Sequence, residues 1–328
     1  MSVSMRVSRP DTLHDRLIDA YAQVGSANRR SLEALTVVLT QFRARGIACI
    51  LLKGADILPR LYGVWGLRPM VDADLLVRER DLPAIDRVLR ELGYLPQIDG
   101  NPAYHNPDRA LALDLATEIW YTDDQEGIWQ RAAQRHLGDL PVLGMGADDL
   151  LIYLTAYTVL HRGHFSPTFP QDLALLTRKE PLNWTFILDE AACRNLKIPL
   201  YYGLAYASMH EPLSLPHHVL KSLTPSCVAE KVLARALHTL VTDKPLPDIG
   251  HFLLLITRPG GQKLRWLWRY FFPSRDFLRY RYSDRGSATP IITRLLRASR
   301  LMTQVSILVA RILFRLITPV SSTDIPRP

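Results

Sequence analysis

A chain of 328 residues that is 48% hydrophobic and 22% charged has the composition of an ordinary globular protein, long enough for two domains or for one domain with a large extension. Its three cysteines, Cys49, Cys193 and Cys227, are widely spaced with no C-x-x-C pair, which argues against a disulfide framework or a zinc knuckle and favours a reducing, cytoplasmic setting. The net charge of +8 comes without any uncharged apolar run approaching about 18 residues, so neither a signal peptide nor a spanning helix is expected.

The first 30 residues read as a helical arm. The clearest periodicity starts at Ser31 and runs to Arg45, with Leu32, Leu35, Leu39 and Phe42 at helical spacing and Gly46 as the stop. Ile47–Leu52 is a short continuous apolar run, best read as a strand buried on both faces, and it ends at Lys53-Gly54. A helix is predicted from about Ala55 to Tyr62. The Gly- and Pro-punctuated loop Gly63–Pro69 then feeds a second apolar run, Met70–Val77. Asp81, followed by Pro83, opens a helix with Leu82, Ile85, Val88, Leu89 and Leu92 on one face, and Gly93 closes it. Tyr94-Leu95 starts an extended piece, a polar loop holds His105 and Asp108, and Leu111–Leu115 forms a further strand with Asp114 opposite its leucines. From about Asp123 the pattern turns helical, for example over 148–162, 171–178 and 184–195.

Asp72 and Asp74 sit two residues apart inside the Met70–Val77 run. Strand side chains alternate, so both carboxylates leave one face. Like charges placed side by side among apolar neighbours are costly unless a cation or a proton stands between them, and a divalent metal is the simplest remedy. Gly54, at a strand-to-helix turn, lets backbone approach a phosphate, and the helix start after it offers free N–H groups. Lys53 and Arg68 can add positive charge to the same phosphates. Mg²⁺ prefers a few carboxylates plus phosphate oxygens to a full protein cage, which suits Asp72 and Asp74 with a bound nucleotide. Asp114 on a neighbouring strand would complete a second metal position, where an acceptor hydroxyl is deprotonated.

The order Leu51-Leu52-Lys53-Gly54-Ala55, Tyr62, Gly66-Leu67-Arg68-Pro69-Met70-Val71-Asp72-Ala73-Asp74-Leu75-Leu76-Val77 and Leu92-Gly93-Tyr94 resembles the uncharacterised nucleotidyltransferase family within the DNA polymerase β-like superfamily. The likeness continues through Leu113-Asp114-Leu115, His161–Phe165, Asp172–Leu176 and Phe271–Ser274. It implies an α+β fold: a small mixed-sheet nucleotidyltransferase core over residues 31–125 flanked by helices, then a mainly helical acceptor-side region over 126–260. A basic aromatic helical extension over 261–317 and a disordered tail over 318–328 complete the expected layout. By the resemblance, Asp72, Asp74 and Asp114 take the catalytic, metal-binding carboxylate positions, and Lys53, Gly54, Ala55 and Arg68 line the nucleotide phosphates. The implied cofactor is Mg²⁺ or Mn²⁺ with an NTP as substrate, and the implied reaction moves an NMP to a hydroxyl or phosphate of an unknown acceptor. Two departures stand out. Gly54-Ala55 replaces the superfamily's usual Gly-Ser or Gly-Gly, so a hydroxyl contact is missing and Lys53 takes its place. Leu115-Ala116-Thr117-Glu118 replaces the His-Trp pair that often follows the third carboxylate.

Other readings compete. A degenerate nucleotidyltransferase fold would act as a binding or scaffold module. A metal-dependent glycosyltransferase with an Asp-x-Asp motif needs several βα units ahead of it, and about 25 residues leave too little room. His161 and His164 with Asp172 make a poor metal set, and capping of helix carbonyls or packing against Phe165 suits them better. The charge is unevenly spread: Gln262–Arg315 carries 12 Lys or Arg against Asp276 and Asp284, a net of +10, which leaves about −2 for the rest. With Trp266, Trp268, Phe271 and Phe272 interleaved among arginines, and an amphipathic basic stretch over 291–316, this segment suits an anionic membrane surface or another polyanion. Truncation at Gly260 would remove that surface.

Overall fold

The computed structural model describes residues 12–99, 101–242, 263, 264, 267, 268, 271, 272 and 290–317. The chain forms two compact units, the first from residues 1–97, 103–117 and 134–144 and the second from 98–102, 118–133 and 145–328. The expected tail over 318–328 and the helical reading of 243–260 lie outside the described residues.

The first unit opens with one long helix, α1, Leu13–Ala44, capped by Thr12, whose hydroxyl accepts from the Asp15 backbone N–H at 3.1 Å. The helix is continuous through residue 30, so residues 13–30 of the expected arm are helical, and the arm's first 11 residues lie outside the described ones. The first turns of α1 are exposed, Leu13, Leu17, Ile18 and Tyr21 included, and it carries Leu32, Leu35, Val38, Leu39 and Phe42 into the core later. β1 (Cys49–Leu52) follows, then α2 (Lys53–Ile57), which widens into a π-helical turn over Leu58–Tyr62. Gly63, at φ 68°, ends that turn in the left-handed conformation that glycine adopts freely. β2 (Asp72–Val77), α3 (Leu82–Glu91), β3 (Leu95–Asp99), β4 (Asn101–Asn106) and β5 (Arg109–Ala116) come next. Two corrections belong here. His105 lies on β4 rather than in a polar loop. The helical pattern expected from Asp123 is interrupted by a hairpin, β6 (Ala133–Leu137) and β7 (Leu140–Gly144), after the short α4 (Gln125–Arg131).

All seven strands join one mixed sheet in the order β3-β4-β5-β2-β1-β7-β6. β1 runs antiparallel to β2 and parallel to β7, while β2 runs parallel to β5. Ile50, Leu51, Leu52, Leu75, Leu76, Leu113 and Leu115 are almost fully buried, which is why continuous apolar runs rather than alternating ones mark the central strands.

In the second unit α5 (Ala147–Ala156), the π-helical turn Tyr157–Arg162, α6 (Phe169–Lys179), α7 (Trp184–Cys193), α9 (His217–Leu223) and α10 (Val228–Thr242) all pack on α8 (Lys197–His210). α8 is apolar on nearly all sides, as a central helix must be. Gly203 brings it close to α5, because a Cβ there would collide with the Thr155 methyl. α11 (Pro290–Ile317) packs on α10. The fold is thus α+β with a helical C-terminal region.

Candidate active site

Pairing between β2 and β5 sets Asp74 directly opposite Asp114, two places along from the Asp72–Ala112 pair. Opposed residues on neighbouring strands share a face at about 4.8 Å strand spacing, so the three carboxylates belong to one face of the central sheet. Asp74 is buried, whereas Asp72 and Asp114 are partly exposed. On the other side of β2, Leu52 pairs with Asp74, so the chain leaving β1 enters α2 beside that carboxylate.

Lys53 makes the turn. Its φ is 45°, one of only two positive values at non-glycine positions among the described residues. A lysine in the left-handed region costs on the order of 1 kcal/mol, and such strain persists where surrounding contacts over-determine it. Here the contact is a salt bridge from Lys53 Nζ to Asp74 Oδ1 at 2.6 Å, with 17% and 11% of the two side chains exposed. Gly54, beside it, is packed closely: a Cβ on it would stand 2.9 Å from Arg68 Nη1 and 3.2 Å from Met70 Cγ. Arg68 therefore lies across the β1–α2 turn, and Lys53, Gly54, Arg68, Asp74 and Asp114 come together beside the central strands of the sheet. Ala55 follows in the first turn of α2, with its side chain fully buried.

Asn28 is the residue that sequence reasoning missed. Its side chain is 1% exposed. The amide Nδ2 donates to the Trp65 carbonyl at 2.5 Å and to the Arg68 carbonyl at 2.7 Å, and Oδ1 accepts from the Met70 N–H at 3.0 Å. One side chain thus pins the loop that delivers Arg68 and aims β2. A signal existed. Asn28 falls on the line Asn28, Leu32, Leu35, Leu39, Phe42, and a polar residue on a buried stripe needs partners. The Arg29 guanidinium, 5.8 Å from the Trp65 ring centre, braces the same loop.

Beneath the turn, Arg60 donates to Asp56 at 3.0 Å in a buried pair one helical turn apart. Gly144 of β7 leaves room for the Asp56 carboxylate. Burial also pushes the Cys49 thiol up to about 12, so it stays protonated at neutral pH.

Among the described residues no group of three or more His, Cys, Asp or Glu side chains is gathered to hold a metal ion. At Asp74 the cation in place is the Lys53 ammonium. The oxygen-only donor set of Asp72, Asp74 and Asp114 nevertheless has the chemistry of a Mg²⁺ site that is completed by phosphate oxygens. In the second unit, His161 stacks on Tyr157, with ring centres 4.8 Å apart, and His164 Nδ1 lies 3.1 Å from the Arg162 carbonyl at the end of the π-helical turn. Phe165 stacks on Tyr206, with ring centres 3.7 Å apart.

Residues 4–210 match the family described as uncharacterised nucleotidyltransferase. That span exceeds half of the chain, and the chain belongs to this family. No curated protein and no solved structure matches it.

Proposed function

We propose that the protein is a Mg²⁺-dependent nucleotidyltransferase that moves an NMP from an NTP to a hydroxyl or phosphate of its acceptor, with release of pyrophosphate. The observation that carries this reading is the register of Asp74 against Asp114, with Asp72 on the same face and Lys53 and Arg68 across the adjacent turn.

Asp72, Asp74 and Asp114 would hold the metal, which when bound neutralises phosphate charge and acidifies the attacking hydroxyl. Lys53 is a flexible single point of positive charge, and Arg68 is a planar fork; both suit phosphate oxygens. In this reading the Lys53 ammonium keeps the Asp74 position neutral until a nucleotide arrives, and then moves from carboxylate to phosphate. Asp114, the more exposed partner, accepts the acceptor's proton. The acceptor oxygen bonds to the α-phosphorus as the bond to the pyrophosphate oxygen breaks, and the leaving charge falls toward Lys53 and Arg68.

Calorimetric titration of Mg-ATP and Mg-GTP into the intact protein tests the reading. At least one nucleotide is expected to bind only with the metal, and the Asp72→Asn/Asp74→Asn variant is expected to lose about 100-fold or more in affinity. Metal-independent binding, or none, would overturn it in favour of a degenerate scaffold fold. A mass increase of one NMP on acceptors incubated with labelled NTP identifies the product.

A further inference from the structure

The last described helix has two different faces. Arg297, Leu301, Gln304 and Leu308 of α11 are buried at helical spacing, and α11 packs on α10, where Ala234 and Leu237 are buried. Turned roughly half a circle away, Ile292, Leu295, Leu296, Met302, Val309, Leu313 and Phe314 are exposed, Leu296 and Phe314 by 65% and 68%. This apolar stripe runs for about 33 Å, the length of 22 helical residues. Arg300 and Arg311, three turns apart, lie along its flank, and all 28 residues of Pro290–Ile317 include five arginines and no acid.

Globular surfaces rarely leave so long an apolar stripe uncovered. The helix does not cross a membrane: no helix among the described residues is long and apolar enough to do so. Its two-faced pattern is that of a helix lying in an interface, with apolar side chains in the acyl boundary and arginines reaching phosphate. A second copy laid on this stripe would bring the flanking Arg300 and Arg311 of the two helices together with no acid on either helix to offset them, which is repulsive. A nucleic acid would meet mostly aliphatic side chains where bases need flat partners. A second exposed line repeats the pattern. Leu264, Trp268 and Phe272, four residues apart, are all exposed, and the Trp268 and Phe272 rings lie 4.5 Å apart. Tryptophan is the residue most at home at the headgroup level of a bilayer.

We infer that the exposed face of α11 docks on an anionic phospholipid surface and holds the protein there as a peripheral membrane protein. This holds whether or not the first unit transfers nucleotides. The attraction comes in two parts that can be separated. Arginines supply selectivity for negative headgroups and sensitivity to salt, and the aliphatic stripe supplies retention once the helix is seated.

Co-sedimentation of the full chain with extruded vesicles tests this. Vesicles of phosphatidylcholine with 30% phosphatidylglycerol are expected to carry the protein down, and pure phosphatidylcholine at least tenfold less. Leu295→Glu/Leu313→Glu, both on exposed positions, is expected to lose at least tenfold in binding while circular dichroism and the unfolding midpoint stay as in the parent. Arg300→Gln is expected to lose a smaller factor, and the loss should shrink in 0.5 M NaCl. Unchanged sedimentation of the double Glu variant, equal binding to neutral and anionic vesicles, or no sedimentation at all would overturn the inference. Dimerisation in the absence of lipid, abolished by the double Glu variant, would overturn it in favour of self-association.

Discussion

Two part-buried ion pairs, one in each unit, show how differently a carboxylate can be held. In the second unit Arg131, at the end of α4, grips Asp149 through two bonds of 2.8 and 3.0 Å at the start of α5. The same guanidinium stands 5.0 Å from the Phe186 ring centre. In the first unit Lys53 reaches Asp74 through one bond of 2.6 Å from a backbone in the left-handed region. The arginine fork is rigid, stacked and joins two helices with relaxed backbones, so it is a fixed part of the fold. The lysine is a mobile point charge on a strained turn beside central strands rich in carboxylates. A bond of that kind is suited to exchange. Burial raises the Asp149 carboxyl above its usual range even though Arg131 pulls it back, a sign that position and packing, rather than ionisation chemistry, dominate there.

The contrast can be broken most sharply by neutralising each acid in turn. Asp149→Asn is expected to lower stability by about 2 kcal/mol, because it removes the buried bidentate partner of a half-buried guanidinium and leaves it only the more exposed Asp124, 3.6 Å away. Asp74→Asn is expected to change stability by under about 1 kcal/mol, since the lysine stem lets its ammonium swing toward water, while nucleotide binding collapses. Urea unfolding measured beside nucleotide titration separates the two. Equal stability losses would erase the distinction.

A subtler change addresses the turn itself. Gly54→Ala puts a methyl against Arg68 Nη1, which belongs to the far end of a flexible side chain and can move aside. Nucleotide affinity is expected to fall about tenfold, with stability within about 0.5 kcal/mol of the parent, because alanine is the better helix former. Full retention of affinity would mean that Arg68 does not need its place over Gly54.

The smallest effect comes from a third pair that sets the scale for surface ions. Glu230 accepts the Ser226 N–H at 2.7 Å and pairs with Lys197 at 2.9 Å, and these contacts, the backbone bond first, pull its carboxyl down to about 2 from an ordinary 4.5. A depressed folded value stabilises above the ordinary value and is lost as the pH falls, here between about 4.5 and 2. Partial exposure screens the gain to under about 1 kcal/mol. Glu230→Gln is expected to flatten stability against pH within that window and to lower it near neutrality by under about 1 kcal/mol; a drop at pH 7 as large as that of Asp149→Asn would upset the ranking.

Much of the first unit was legible because its central strands are buried on both faces. Runs such as Ile47–Leu52 and Met70–Val77 are hard to place elsewhere, and two aspartates within one of them cannot be ignored. The β6–β7 hairpin went unread because half-buried strands with Gln134, Arg135 and His136 carry little apolar signal, although the two-residue Gly138-Asp139 connection with Gly138 at φ 60° is a hairpin signature. The π-helical turns at Leu58–Tyr62 and Tyr157–Arg162 read as plain helix, since one extra residue per turn barely alters the apolar spacing. Lys53 in the left-handed region had no local signal, because a neighbouring glycine is the natural candidate for that conformation. Asn28 had one, in its place on an otherwise apolar stripe, but its three acceptors and donors lie about 40 residues away and only the fold brings them together.

The central claim is that the Lys53 ammonium occupies a cation position at Asp74 and gives it up when metal and nucleotide bind. Titration of Mn²⁺ alone, followed by paramagnetic resonance, into the parent and Lys53→Met tests it most directly. The account predicts that Lys53→Met binds free Mn²⁺ about tenfold more tightly, a gain of about 1.4 kcal/mol, while its Mn-NTP complex is held less tightly than the parent's. Equal or weaker Mn²⁺ binding by Lys53→Met would contradict it.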